Sequence, residues 1–264
     1  CRQQLANKHA RLIENKRLHR LCSLFINNQI NRTKENTMGA NPDFIYQPPM
    51  RPYLDIVYQD NDIVVLNKAS GLLTVPGRLP EHQDCLQNRV LKVLPTATVV
   101  HRLDMATSGI ILMALNKPAH VSISRQFEKR LTKKCYIARV FGKVEKAAGS
   151  VEQPLICDWP NRPKQKVDFE QGKAALTHYK VLSYCENIDN QTTTLVELTP
   201  VTGRSHQLRV HMLSLGHPIL GDRLYAHEQA LTMSNRLQLH ARMLEISHPV
   251  SGQTLTFSKA CPFD

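Results

Sequence analysis

Nowhere in this chain does an apolar run approach the roughly 20 residues of a membrane-spanning helix, and no signal-peptide pattern is recognisable. Its seven cysteines (Cys1, Cys22, Cys85, Cys135, Cys157, Cys185 and Cys261) are odd in number, scattered, and form no CxxC pair. That excludes a disulfide framework and a zinc ribbon, and points to a reduced, cytoplasmic setting. GxGxxG, the P-loop and short-period repeats are all absent. The twelve histidines include no HExxH, and His206 and His211, five apart, fall on different faces of a helix, so zinc is not expected. Ser70 and Ser108 lie near glycines but lack the GxSxG frame, which argues against a serine hydrolase.

What the chain does have is positive charge. Its formal net charge is +12, but residues 1–37 hold eight Lys and Arg against two Glu, so half of the excess sits in that segment. The remainder still suits a polyanionic partner, although basic surfaces are often only solubilising. At 264 residues the chain has room for one large domain or two smaller ones, with a core that needs no disulfides. Residues 1–37 read as a basic leader outside the fold. Met38 is expected as the physiological start, and the rival reading is a basic amphipathic or targeting helix. Residues 38–52, with Asn41-Pro42 and Pro48-Pro49, read as an extended arm, and 53–264 as the main folded domain.

From Tyr53 onward short β-branched runs alternate with a few helices. Leu54–Tyr58 and Ile63–Leu66 flank Asp60-Asn61-Asp62 as a hairpin. A helix is expected over 84–93, and another runs from an Asn116 cap, with Pro118 in its first turn, to about Arg130. Strands are expected at 134–141, 151–156, 174–185 and 193–199, and a helix at 205–215 ends on Gly216. Met243–Ile246 and Thr254–Phe257 form a closing hairpin. Strands and helices do not alternate regularly, so the fold class is α+β with a mixed, largely antiparallel sheet.

Chemistry concentrates in four clusters. The tetrapeptide His101-Arg102-Leu103-Asp104 leaves the apolar strand Thr98–Val100 and runs on into Gly109–Leu115, presenting Asp104 on an irregular segment between rigid neighbours. Asn67–Gly77 is a polar, glycine-bearing loop. Lys133–Val140 is a strand that offers Tyr136 after two lysines. Gly203–His211 opens a helix whose free N–H groups and positive end, beside Arg204 and His206, would attract a carboxylate or phosphate.

Together, NKASGLLTVPG, HRLDMATSGIILMA, KKCYIARVFG and PVTGRSHQLRVHMLSLGHPILGD resemble the RluA family of pseudouridine synthases, in that family's order and spacing, from about Tyr53 to the C-terminus. The stretch Leu155–Val167 (LICDWPNRPKQKV) is similar to the family's short, dual-specificity member, and no S4-type RNA-binding domain is expected. Ala69 stands where the family usually has proline.

The resemblance implies an isomerase without cofactor or metal. It gives Asp104 as nucleophile, Arg204 as the arginine that pairs with it, and Tyr136 as base platform and late proton acceptor. Arg102 would fill the stack vacated by a flipped uridine, its planar guanidinium suiting stacking where lysine would not. His101, His206, Leu208 and Arg209 are expected to bind substrate. Attack on C1′ and elimination to a glycal both remain open routes. The implied substrates are uridine 32 in the tRNA anticodon stem-loop and uridine 746 in a loop of 23S rRNA, acted on by a monomer away from any membrane. The alternatives are a related synthase for another rRNA or tRNA uridine, or a catalytically silent RNA-binding module. A glycosidase would need a second acid beside Asp104, and Asp62 and Asp84 read only as hairpin and helix-cap residues.

Overall fold

A computed structural model of the protein describes residues 45–186 and 191–264. The leader 1–37, the start at Met38 and the arm as far as residue 44 lie outside the described residues.

The β-branched runs form strands wherever the sequence is dense in Val, Ile and Leu. Strands β1 (Ile56–Gln59) and β2 (Ile63–Lys68) make an antiparallel hairpin. Its turn is held by Asp60, whose Oδ1 accepts the N–H groups of Asp62 and Ile63, each at 2.8 Å. Strand β2 pairs with β4 (Ser108–Ala114), a fully buried run, and β3 (Thr98–Val99) pairs antiparallel with the far end of β4. The chain therefore doubles back between β3 and β4, and the intervening loop carries HRLD.

The remaining strands are β5 (Lys133–Phe141), β6 (Ala148–Glu152), β7 (Leu155–Cys157), β8 (Gln165–Val167), β9 (Leu176–Glu186), β10 (Thr192–Pro200), β11 (Leu239–Ser247) and β12 (Thr254–Ser258). The main sheet runs β1-β2-β4-β11-β5-β10-β9-β6, with β12 also on β11 and β3 also on β4, while β7 and β8 form a separate hairpin. Among the described residues every pairing is antiparallel except β4 against β11. This is the expected α+β fold with a mixed, mostly antiparallel sheet. The expected strand 151–156 is two, because Gln153-Pro154 falls between β6 and β7 and proline cannot donate to a ladder.

Among the described residues the α-helices are α1 (Leu86–Leu91), α2 (Lys117–Glu128), α3 (Gln207–Ser214) and α4 (Glu228–Thr232). Helix α2 starts as the sequence indicates, with Asn116 Oδ1 accepting from Ala119 N at 2.9 Å. Helix α3 ends on Gly216 at φ +83°, where Gly216 N donates to Leu213 O and His217 N to Met212 O. It begins two residues later than expected because His206 is left-handed, at φ +54°. Helix α1 is shorter than 84–93. Cys85 caps it, and Asp84 is engaged with Arg89 at 2.7 Å.

Two of the apolar clusters of the interior meet at β5. One contains Leu66, Leu72, Leu103, Ile111 and Ala241, the other Ala138, Val140, Leu198, Leu208 and Leu239. Tyr136 packs against both, so the candidate site lies at the seam between them.

Candidate active site

The HRLD loop is fixed from beneath by the polar loop Asn67–Gly77. Thr74 Oγ1 donates to Leu103 O at 2.7 Å and accepts from Leu103 N at 3.3 Å. Gly71 N reaches Met105 O at 2.9 Å, and Ser70 Oγ donates to Ala106 O at 2.7 Å. The Lys68 ammonium, wholly buried, donates to the carbonyls of Ala69, Leu72 and Met105 at 3.0, 2.7 and 3.0 Å. Burial pulls its pKa down to about 7, partly offset by the charge of Asp104. Ala69 in place of proline leaves this clamp intact, since the clamp uses the carbonyl of that residue. The backbone on both sides of Asp104 is thus pinned, and its carboxylate stays 30 % exposed at the cleft.

The cleft holds about 110 Å³ and is lined by Arg102, Asp104, Lys134, Tyr136, Leu208 and Arg209 among others. Arg209, on the first turns of α3, is buried and points at two carboxylates. Its Nε and Nη2 contact Asp222 at 2.7 and 2.6 Å, and its Nη1 contacts Asp104 Oδ2 at 3.4 Å. Asp222 also accepts from Leu224 N and Tyr225 N, and the Arg209 guanidinium lies 5.0 Å over the Tyr225 ring. A planar fork held bidentate on one side has little freedom on the other.

Arg209 therefore takes the pairing expected of Arg204. Arg204 is exposed at the cleft mouth and donates from Nε to Ala174 O at 3.1 Å. The physical reason is the turn ahead of α3. Gln207 Oε1 accepts from Arg204 N and Thr202 Oγ1, and this, with the left-handed His206, directs the chain so that position 209 rather than 204 faces Asp104. His206 itself is in place, with Nε2 3.9 Å from Asp104 Oδ2 and Nδ1 2.7 Å from the Tyr225 hydroxyl. Burial lowers its pKa, with Asp104 opposing. A non-glycine residue at positive φ beside a cleft is the kind of local strain that functional sites carry.

Tyr136 lies in β5 opposite Ala241 of β11, where the β11–β5 register slips by one residue between Ala241 and Met243. Bulges commonly re-aim side chains next to sites. Burial, and then the negative charge of Asp104, push the Tyr136 phenol upward, so it rests protonated. Leu208 is buried in the cleft wall, and Arg102 is exposed beside Asp104.

His101 does not reach the cleft. Its ring stacks on Phe127 at 4.5 Å, and Nε2 accepts from Leu112 N at 3.0 Å. Burial and the Lys134 charge lower its pKa to about 3, so it is a neutral packing residue. Successive residues on extended chain point to opposite faces, which separates it from Arg102. Ser108 is likewise taken, lying 2.8 Å from His240 Nδ1 and accepting from Arg236 at 2.6 Å. Lys68, Thr74, Asp222 and Tyr225 were not singled out from sequence, although all lie in or near the matching motifs. A charged residue in an otherwise apolar strand is the signal that could have found Lys68.

Among the described residues, Asp60, Asp62 and His248 bring possible metal-ligand atoms within 4.8 Å of one another. Their lone pairs are engaged: Tyr58 donates to Asp60 at 2.7 Å, Asn116 to Asp62 at 2.8 Å, and the N–H groups of Val250 and Ser251 to His248 Nδ1. The group ties two hairpin turns together. None of the helices described is long and apolar enough to cross a membrane.

Comparison with known proteins identifies the family. Residues 62–214 match the RNA pseudouridylate synthase family. The dual-specificity RNA pseudouridine synthase RluA of Escherichia coli strain K12 is 57 % identical over 218 residues, covering 83 % of this chain and 98 % of that one. Its Haemophilus influenzae counterpart is 54 % identical over the same shares. Among solved structures, human RNA pseudouridylate synthase domain containing 1 aligns with a TM-score of 0.67 at 31 % identity, over 80 % of this chain and 84 % of that one. The chain belongs to the RNA pseudouridylate synthase family, in its RluA group, and is an isomerase that makes pseudouridine.

Proposed function

We propose that this enzyme has dual specificity, converting uridine 32 of the tRNA anticodon stem-loop and uridine 746 of 23S rRNA, with Asp104 as the nucleophile. The reading of the targets rests on similarity to relatives named dual-specificity RNA pseudouridine synthase. The reading of the nucleophile rests on one observation: a pinned, partly exposed carboxylate faces a cleft and is held by a fixed Arg209.

The reaction needs no oxidant or reductant. The C1′–N1 bond breaks, the freed uracil turns, C1′ bonds to C5, the C5 hydrogen leaves as a proton, and N1 takes one up. A stacked uridine cannot reach a recessed Asp104, so the nucleotide flips out, and unpaired loop uridines cost least to extrude. Arg102, exposed and adjacent, fills the space left behind. Tyr136 supports the base, a stack worth about 1–3 kcal/mol. Its proton-accepting turn comes last, after C5 has displaced Asp104 from C1′ and restored the free carboxylate. Arg209 orients Asp104, while Leu208 and His206 bound the base pocket.

Tritium release from C5-labelled uridine in an anticodon stem-loop and in a 23S loop fragment tests this. Wild type should release label from both RNAs, and Asp104→Asn from neither while still binding them. Release by Asp104→Asn at the wild-type rate would remove Asp104 as nucleophile. Activity on one RNA alone would end the dual assignment, and no release by the wild type on either would favour a silent binding module.

A further inference from the structure

Strand β5 places Lys134 and Tyr136 two residues apart, hence on one face, and both line the cleft. Lys133, on the other face, is exposed and paired with Glu245 at 2.7 Å. Lys134 has no such partner: among the described residues no carboxylate forms an ion pair with it. The nearby acid, Asp104, is engaged by Arg209. Its neighbours instead share its sign. Arg130 acts on it as a like charge, and Arg102 stands exposed on the same cleft rim.

Arg130 is a second anomaly. Helix α2 closes with Arg130 N bonded to Phe127 O and Leu131 N to Gln126 O, and Arg130 occupies the left-handed position at φ +58°. Glycine is the usual residue there. The fold thus carries an arginine at a conformational cost, next to a half-buried lysine that also lacks compensation. An anion between the two cations would offset their like-charge repulsion.

We propose that Lys134, with Arg130 as its neighbouring cation, forms a phosphate subsite that grips the RNA backbone beside the flipped uridine. The ligand class is a phosphodiester, and the assignment rests on the RNA-isomerase reading above. Phosphate contacts position a nucleic acid without reading its sequence, so the subsite sets where the strand lies while the base pocket acts on the uridine. Burial and Arg130 lower the pKa of Lys134 in the free enzyme, and a bound phosphate would reverse that direction.

The test measures binding of an anticodon stem-loop RNA by fluorescence anisotropy over a series of salt concentrations, with steady-state tritium release alongside. Lys134→Gln should weaken binding about tenfold and flatten the slope of log K against log[salt] by about 1, the share of one phosphate. KM should rise about tenfold with kcat within about twofold of wild type. Lys134→Arg should restore most of the slope, and Lys133→Gln, which removes the same charge one residue away, should track wild type. An unchanged slope in Lys134→Gln, an equal loss in Lys133→Gln, or a fall in kcat at constant KM would overturn the subsite. If wild type binds RNA without releasing tritium, the enzymatic reading fails while the salt slopes still judge Lys134.

Discussion

Arg209 sits between two acids and is not shared equally. Asp222, 1 % exposed, holds it through two bonds of 2.6 and 2.7 Å, while Asp104 lies at 3.4 Å. One carboxylate thus orients the guanidinium and the other is oriented by it through Oδ2, which leaves Asp104 Oδ1 for the proposed attack on a sugar carbon. Arg209→Gln should lower kcat at least about 100-fold, and it should also cost about 3–5 kcal/mol of stability, because Asp222 is left buried and unpaired. Arg204→Gln should raise KM a fewfold and leave stability and kcat alone. Tritium release and urea unfolding on the two variants separate them; equal loss of kcat in both would return Arg204 to the centre. The sequence brought both arginines into view within GRSHQLR. It could not rank them, because the ranking depends on the left-handed turn at His206 and on Asp222, 13 residues further on.

At the scale of elements, the site depends on the one parallel contact among the described strands. Strand β4 meets β11 through Ser108–His240 and Gly109–Ala241, and Ala241 in turn lies opposite Tyr136. Gly109 stands at φ +115°, and a Cβ there would run into the backbone of Ala241. Gly109→Ala adds a left-handed penalty of about 1–2 kcal/mol to that backbone clash. It should destabilise the fold by about 3 kcal/mol or more in urea unfolding, and should lower turnover further by moving Tyr136 relative to Asp104. A stability within about 0.5 kcal/mol of wild type would show that the crossing is not tight. The strands themselves were legible, since alternation and β-branched density mark them one at a time. Their order was not, because pairing β4 with β11 joins segments more than 120 residues apart, and no local pattern carries that information.

For the molecule as a whole, the sheet is built around histidines that fold in their neutral form. His101, His211 and His240 lie at separate points of the fold, and burial lowers the pKa of each below the ordinary histidine value. Their ring nitrogens are used: His101 accepts from Leu112 N, His211 lies 2.9 Å from Thr177 Oγ1, and His240 lies 2.8 Å from Ser108 Oγ. The sequence showed twelve histidines and no metal pattern, but not which would be desolvated, since that depends on partners such as Phe127 and Thr177 brought up by the fold. With folded values below the unfolded ~6.5, the unfolded chain binds the extra protons. Stability is then fully present above about pH 6.5 and is lost as pH falls; for His101 the loss continues down to about 3. Each such histidine adds a slope of up to about 1.4 kcal/mol per pH unit. Urea unfolding should therefore give a steady decline from about pH 6.5 to 4.5, above the range where most carboxylates titrate. His101→Gln, whose side chain carries no titrating proton, should lower the stability at pH 7 yet flatten that decline by close to one proton. An unaltered slope in that variant, or a wild-type stability constant from pH 7 to 4.5, would mean that these rings are reached by protons in the folded protein.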